Sequence, residues 1–101
     1  MIIYNVTLSI NPNIEEEVLD WLKSTHIPAV METGLFLNNA IYKIIENPIE
    51  RKHNSYAIQY KLDSWDKLDH YFKNYAPKLQ AITKTKYGEN VLAFRTFLEE
   101  I

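Results

Sequence analysis

Two side chains in this sequence carry chemistry that a small apolar core does not require, His26 and Arg95. His26 stands in Thr25-His26-Ile27-Pro28, where the proline has to interrupt or restart a helix. A histidine at such a break, near the end of a sheet, can serve as a general acid or base or donate to a carbonyl. It can equally bond to backbone groups freed at the break. Arg95 lies in an alternating C-terminal stretch, and its planar fork suits a carboxylate or enolate. The structural alternative is an ion pair with Glu32, Glu99 or an acid of a partner chain. Asn5, Thr7 and Gln59 can orient a polar ligand, or satisfy one another.

Other familiar chemistry is missing. There is no Gly-rich phosphate loop, no serine or cysteine nucleophile motif, and no paired histidine spacing for a metal. With no cysteine there is no disulfide, thiol nucleophile or thiolate metal site, and no cofactor is expected. His53 reads onto a loop. His70 reads onto a helix, out of phase with its neighbours Leu68 and Phe72, so neither is expected to face a pocket.

The elements that must hold these residues follow from periodicity. Residues 2–10 alternate, with Ile2, Tyr4, Val6, Leu8 and Ile10 opposing Ile3, Asn5, Thr7 and Ser9, which predicts a two-faced strand. Asn13 with Glu16 has capping-box spacing, and Ile14, Val18, Trp21 and Leu22 form a helical stripe. Pro28 then opens a second short helix that Gly34 ends in the left-handed conformation. Residues 35–46 read as a strand of ambiguous register, followed by a polar turn over 47–54. Ser55–Leu62 is the third strand, its apolar set being Tyr56, Ile58, Tyr60 and Leu62. Asp63-Ser64 caps a second helix whose buried side is expected to carry Trp65, Leu68, Phe72, Tyr75, Leu79 and Ile82. Pro77 interrupts this helix and Gly88 stops it. Residues 90–99 form the last strand, with Leu92, Phe94, Thr96 and Leu98 opposing Val91, Ala93, Arg95 and Phe97.

The order βαββαβ predicts an α+β, ferredoxin-like domain over residues 1–101. Right-handed crossovers give a four-stranded antiparallel sheet in order 4-1-3-2, with two proline-broken helices on one face. The other face is expected to carry Ile3, Asn5, Thr7, Ala57, Gln59, Lys61, Ala93, Arg95 and Phe97. That set is too apolar in places for water, so a two-fold homodimer, sheet against sheet, is expected. A cavity above roughly 300 Å³ touching His26 and Arg95 would mark a ligand site.

Bulk composition narrows the function classes. The 101 residues carry a net charge of −2, and Arg51-Lys52-His53 is the single small basic cluster, so no nucleic-acid surface is expected. Met1-Ile2-Ile3-Tyr4-Asn5-Val6 lacks the charged lead-in and length of a signal peptide, and no run approaches a membrane span. A cytoplasmic location follows by default.

Four blocks resemble the small bacterial DUF4286 domains. They are Met1-Ile2-Ile3-Tyr4-Asn5-Val6-Thr7, Trp21-Leu22 through His26-Ile27-Pro28 to Gly34-Leu35-Phe36, Tyr75-Ala76-Pro77-Lys78-Leu79, and Ala93-Phe94-Arg95-Thr96. The resemblance implies the dimeric α/β-barrel superfamily and supplies no activity. Wider relatives include cofactor-free oxygenases, lactone isomerases and haem-binding members, and the Trp…His-x-Pro stretch is similar to one in the EthD-like branch. Three readings result: a dimer that binds a small organic molecule, a cofactor-independent oxygenase or isomerase of the EthD-like or antibiotic-biosynthesis-monooxygenase-like type, or a structural and interaction dimer with a filled core.

Overall fold

Strict alternation over the first residues produces β1, Ile2–Ile10, the central strand of the sheet. The computed structural model describes residues 1–46, 49 and 54–101. The Arg51-Lys52-His53 cluster and most of the turn expected at 47–54 lie outside them. After β1, Pro12 opens a single turn of 3-10 helix, Pro12–Ile14. The Asn11 side chain caps that turn by accepting from the Asn13 N–H at 3.0 Å. The cap therefore falls two residues before the expected Asn13, because the fixed φ of Pro12 already suits a first helical position.

The first helix does not break at Thr25-His26-Ile27. It runs as α1, Glu15–Trp21, passes through one wide turn over Leu22–His26, and continues as α2, Ile27–Met31. In the wide turn the Ile27 N–H bonds to the Leu22 carbonyl, five residues back. Pro28 has no N–H to give Ser24, and its ring would crowd that carbonyl in a regular α-helix. Adding one residue to the preceding turn absorbs the mismatch while the backbone stays helical, with His26 at φ −72° and ψ −54°. Gly34, at φ 77°, ends the segment in the left-handed conformation.

The strand expected over 35–46 is shorter, β2, Asn38–Lys43. Its pairing with β3, Ser55–Leu62, resolves the register. Asn38, Ala40 and Tyr42 lie opposite Lys61, Gln59 and Ala57 on one face, and Ile41 packs against the core on the other. Ser64 caps α3, Trp65–Asn74, by accepting from the N–H groups of Asp66 and Lys67. Tyr75, at φ −125°, separates it from α4, Ala76–Tyr87, whose second residue is Pro77. Leu68 and Tyr71 are buried and Phe72 and Leu79 pack beside them, but Trp65, Tyr75 and Ile82 are exposed. The inward stripe is thus Leu68, Tyr71 and Phe72, at i, i+3 and i+4, and the break at Tyr75 resets its phase.

The sheet order is β2-β3-β1-β4, where β4 is Val91–Glu99, and every neighbouring pair is antiparallel. One core joins Ile2, Tyr4, Leu8 and Ile10 of β1 to Tyr56, Ile58, Tyr60 and Leu62 of β3 and to the helices through Val18, Leu22, Val30, Leu68 and Tyr71. Tyr4 is the hub of its aromatic part. Its ring lies 5.3–6.3 Å from the rings of Phe36, Tyr60, Tyr71, Phe72 and Phe97. Such pairs add about 0.5–1.5 kcal/mol each beyond the area they bury.

The face of β4 differs from the expectation. Pairing with β1 sets Val91, Ala93, Arg95 and Phe97 opposite Ile10, Leu8, Val6 and Tyr4, on the helix side. Leu92, Phe94, Thr96 and Leu98 therefore join Ile3, Asn5 and Thr7 on the uncovered side. The alternation of β4 was legible but its phase was not, because both of its sets are mixed and an edge strand need not bury its more apolar side.

Leu62 is fully buried beneath the helices. Leu62→Ala is expected to cost about 2–5 kcal/mol, read as a lowered urea midpoint at unchanged slope.

Candidate functional site

A cavity of about 450 Å³ lies between the sheet and the helices. Its floor comes from the strands, through Tyr4, Val6, Ile58 and Tyr60. Leu22, His26 and Val30 supply one wall, and Leu79, Gln80, Thr83 and Lys84 of α4 another. Val91, Ala93 and Arg95 close the β4 side, and Glu89 stands in the turn before it. Apolar walls with a few polar groups are the usual composition of a small-molecule site, and the volume falls in the usual range.

His26 reaches this cavity because the wide turn ends on it. Its imidazole stacks on Trp21, ring centroids 5.2 Å apart at 26°. It makes no hydrogen bond to the protein among the described residues, and it does not cap α2. The backbone-capping role is thereby set aside, because the imidazole bonds to none of the backbone groups around Pro28 among the described residues. Burial depresses the imidazole pKa below its ordinary value, and the nearby Arg95 charge adds to the effect. Near neutral pH the ring is uncharged and can accept a proton.

Arg95 reaches the same cavity from the edge strand. Its Nε donates to the Tyr4 hydroxyl at 3.1 Å. Neither Glu32 nor Glu99 pairs with it; the sole ion pair among the described residues joins Lys67 to Asp63 at the surface, 2.8 Å apart. The terminal guanidinium nitrogens keep their donors for something else. Tyr4 in turn is buried, which raises its phenol pKa, while the Arg95 charge and hydrogen bond pull the other way.

The five residues singled out in the sequence do not form one cleft. His26 and Arg95 share the cavity. Asn5, Thr7 and Gln59 lie on the opposite side of the sheet, where Gln59 Nε2 donates to Asn5 Oδ1 at 3.3 Å and Asn5 Nδ2 donates to Thr7 Oγ1 at 3.2 Å. The separation follows from the pleat, since neighbours along a strand point to opposite faces. His70 is exposed, and Asn74 sits beside its Nδ1 at 3.1 Å. No group of three or more metal-ligating side chains occurs among the described residues, and no helix there is long and apolar enough to cross a membrane. Sequence reasoning missed Tyr60, Tyr71 and Lys84 as cavity residues. Tyr4 did carry a signal, being the one tyrosine in an otherwise aliphatic inward set, whereas Tyr60 shares its set with Tyr56.

Comparison with known proteins gives a family and a set of folds. The profile of the family described as "Domain of unknown function (DUF4286)" matches residues 1–101. No curated protein matches the sequence. Among solved structures, an ethyl tert-butyl ether D (EthD) family protein from Bacillus halodurans superposes with a TM-score of 0.70 at 18% identity, over 100% of both chains. A proposed antibiotic biosynthesis monooxygenase from Deinococcus radiodurans gives 0.68 at 20% identity, over 99% of this chain and 92% of that one. A protein described as dimeric ferredoxin-like, from an uncultured marine organism, gives 0.64 at 9%, over 99% and 96%. At these identities the likeness is one of fold.

The depressed His26 pKa fixes the sign of a pH effect. The unfolded chain protonates this histidine near pH 6.5, and the folded chain only at lower pH. Between those values unfolding takes up a proton, so acid destabilises the fold through His26, and above pH 6.5 the contribution is fully present. Urea midpoints measured from pH 7 down to about pH 5 should therefore fall more steeply for the wild type than for His26→Gln. Parallel profiles would mean that the imidazole protonates as readily folded as unfolded.

Proposed function

The chain belongs to the DUF4286 family, and we propose that it is a cytoplasmic homodimer that binds a small organic anion in the cavity between its sheet and its helices. The observation that carries this reading is the convergence of His26 and Arg95, both without an acidic partner, on one largely apolar cavity of about 450 Å³. Arg95 is exposed at the mouth of this cavity, where a carboxylate or enolate would receive charge-assisted hydrogen bonds from its guanidinium. The apolar walls accept an aromatic or aliphatic body.

The dimer rests on the uncovered sheet face. Phe94 is 62% exposed and Leu92 49%, with Leu98 also exposed on β4 and Tyr42 exposed on the same face at the opposite edge strand. A second copy would bury these four and leave the Asn5, Thr7 and Gln59 network at the interface, where Gln59 bonds to Asn5 and Asn5 to Thr7. A fold neighbour described as dimeric supports the same assembly.

A second reading, a cofactor-independent isomerase or oxygenase, is favoured by the uncharged His26 ring. Its free nitrogen would take a proton from carbon next to a carbonyl, and Arg95 would face the enolate. Returning that proton to another carbon completes an isomerisation; an oxygenase would instead pass the enolate's electrons to dioxygen.

Two measurements test the proposal. Para-isopropenylbenzoate is expected to bind in calorimetry more tightly than its methyl ester, and Arg95→Gln should remove the difference while leaving the fold intact. Equal binding of acid and ester to the wild type refutes the anion site. In sedimentation, the wild type should run at twice 11.9 kDa and Phe94→Glu at the single-chain mass; a wild-type monomer refutes the dimer.

A further inference from the structure

The cavity contains a second polar feature, distinct from the cation at its mouth. Tyr60 is 2% exposed, lines the cavity, and its hydroxyl finds no hydrogen-bonding partner in the protein among the described residues. Buried hydroxyls are normally paired, because an unmet one forfeits its hydration with nothing in return. Tyr60 and Tyr4 are directly opposed across β3 and β1, with rings stacked 5.8 Å apart at 26°. Their phenols thus lie side by side in the cavity wall, with the Tyr60 hydroxyl buried. The Tyr4 hydroxyl accepts from Arg95 Nε, which leaves its own proton available to donate. Burial, reinforced by the neighbouring phenols of Tyr71 and Tyr4, raises the Tyr60 pKa, so this group is a donor at any ordinary pH.

We propose that Tyr60, with Tyr4 beside it, is the recognition site for an uncharged oxygen acceptor on the ligand, so that the molecule bound here carries a carbonyl in addition to its anionic group. This rests on the anion-binding reading above and narrows it to a class: oxo-acids with an apolar body. A hydrocarbon end leaves the Tyr60 proton unmet, whereas a carbonyl satisfies it, and that difference is the source of selectivity. The same pair of phenols would face the oxygen of an enolate if His26 removes a proton from the adjacent carbon.

The test is a cycle between ligand and protein. Meta- and para-acetylbenzoate are each compared by calorimetry with the isopropenylbenzoate of the same substitution, which replaces the carbonyl oxygen by a methylene of similar shape. Wild-type protein is expected to prefer the better-fitting acetyl acid roughly tenfold, the usual worth of one buried hydrogen bond. Tyr60→Phe should erase that preference, weakening the acetyl acid while leaving the isopropenyl acid unchanged. The same variant, free of ligand, should melt no lower than wild type, because it removes an unpaired buried hydroxyl; a lower melting temperature would show that the hydroxyl is already satisfied and overturn the proposal. No preference for either acetyl acid in the wild type, or a preference that survives Tyr60→Phe, also overturns it, while Arg95-dependent binding of the isopropenyl acids would leave the anion site standing. If none of the four acids binds, the anion site and the carbonyl site fall together.

Discussion

The antiparallel ladder between β1 and β4 is the constraint on which the arrangement depends. It sets Arg95 opposite Val6 and Phe97 opposite Tyr4. A shift of one residue would turn Arg95 to the uncovered side and bring Leu92, Phe94 and Leu98 under the helices. In the observed register the cation joins the cavity and the apolar set meets the surface. One alignment of hydrogen bonds thus creates both an exposed cation at the mouth of a ligand-sized space and an apolar face of the kind a second chain covers.

A second constraint comes from proline. Pro28 could have severed the first helix, but one wide turn keeps the chain helical and ends on His26. The histidine is therefore held by a continuous helix and by the face of Trp21, not by a loose loop. Its depressed pKa has two causes, loss of water and the field of Arg95, and both act against the same charged form. Beside Lys84 and Glu89 in its lining, the cavity thereby pairs the Arg95 cation with one neutral base. Had the imidazole been charged as well, the two would repel and the site would lose its proton acceptor.

Core packing and the cavity wall meet at the tyrosines. The rings of Tyr4, Tyr60 and Tyr71 belong to the aromatic core, while the same three residues line the cavity. An aliphatic residue at any of the three would fill the core but give the cavity wall no donor. This division of one side chain between packing and polar contact is characteristic of amphipathic aromatics. It places these hydroxyls on the two central strands of the sheet, β1 and β3, and on α3 instead of on loops.

Local chemistry determined much in advance. Period-two alternation placed β1 and β3, Ser64 marked the start of α3, Gly34 and Gly88 marked helix stops, at φ 77° and 55°, and the order of elements implied the sheet order. Those features depend on steric preferences and on spacing within a few residues, which the chain displays directly. His26 and Arg95 stood out by residue type, and their meeting in one cavity did not. The phase of β4, the extra residue in the turn before Pro28, and the separation of Asn5, Thr7 and Gln59 from the other two all depended on partners far away in the chain. Tertiary packing decided these, because a strand's face is set by the strand it pairs with, and a helix can absorb a proline in more than one way until something is packed against it.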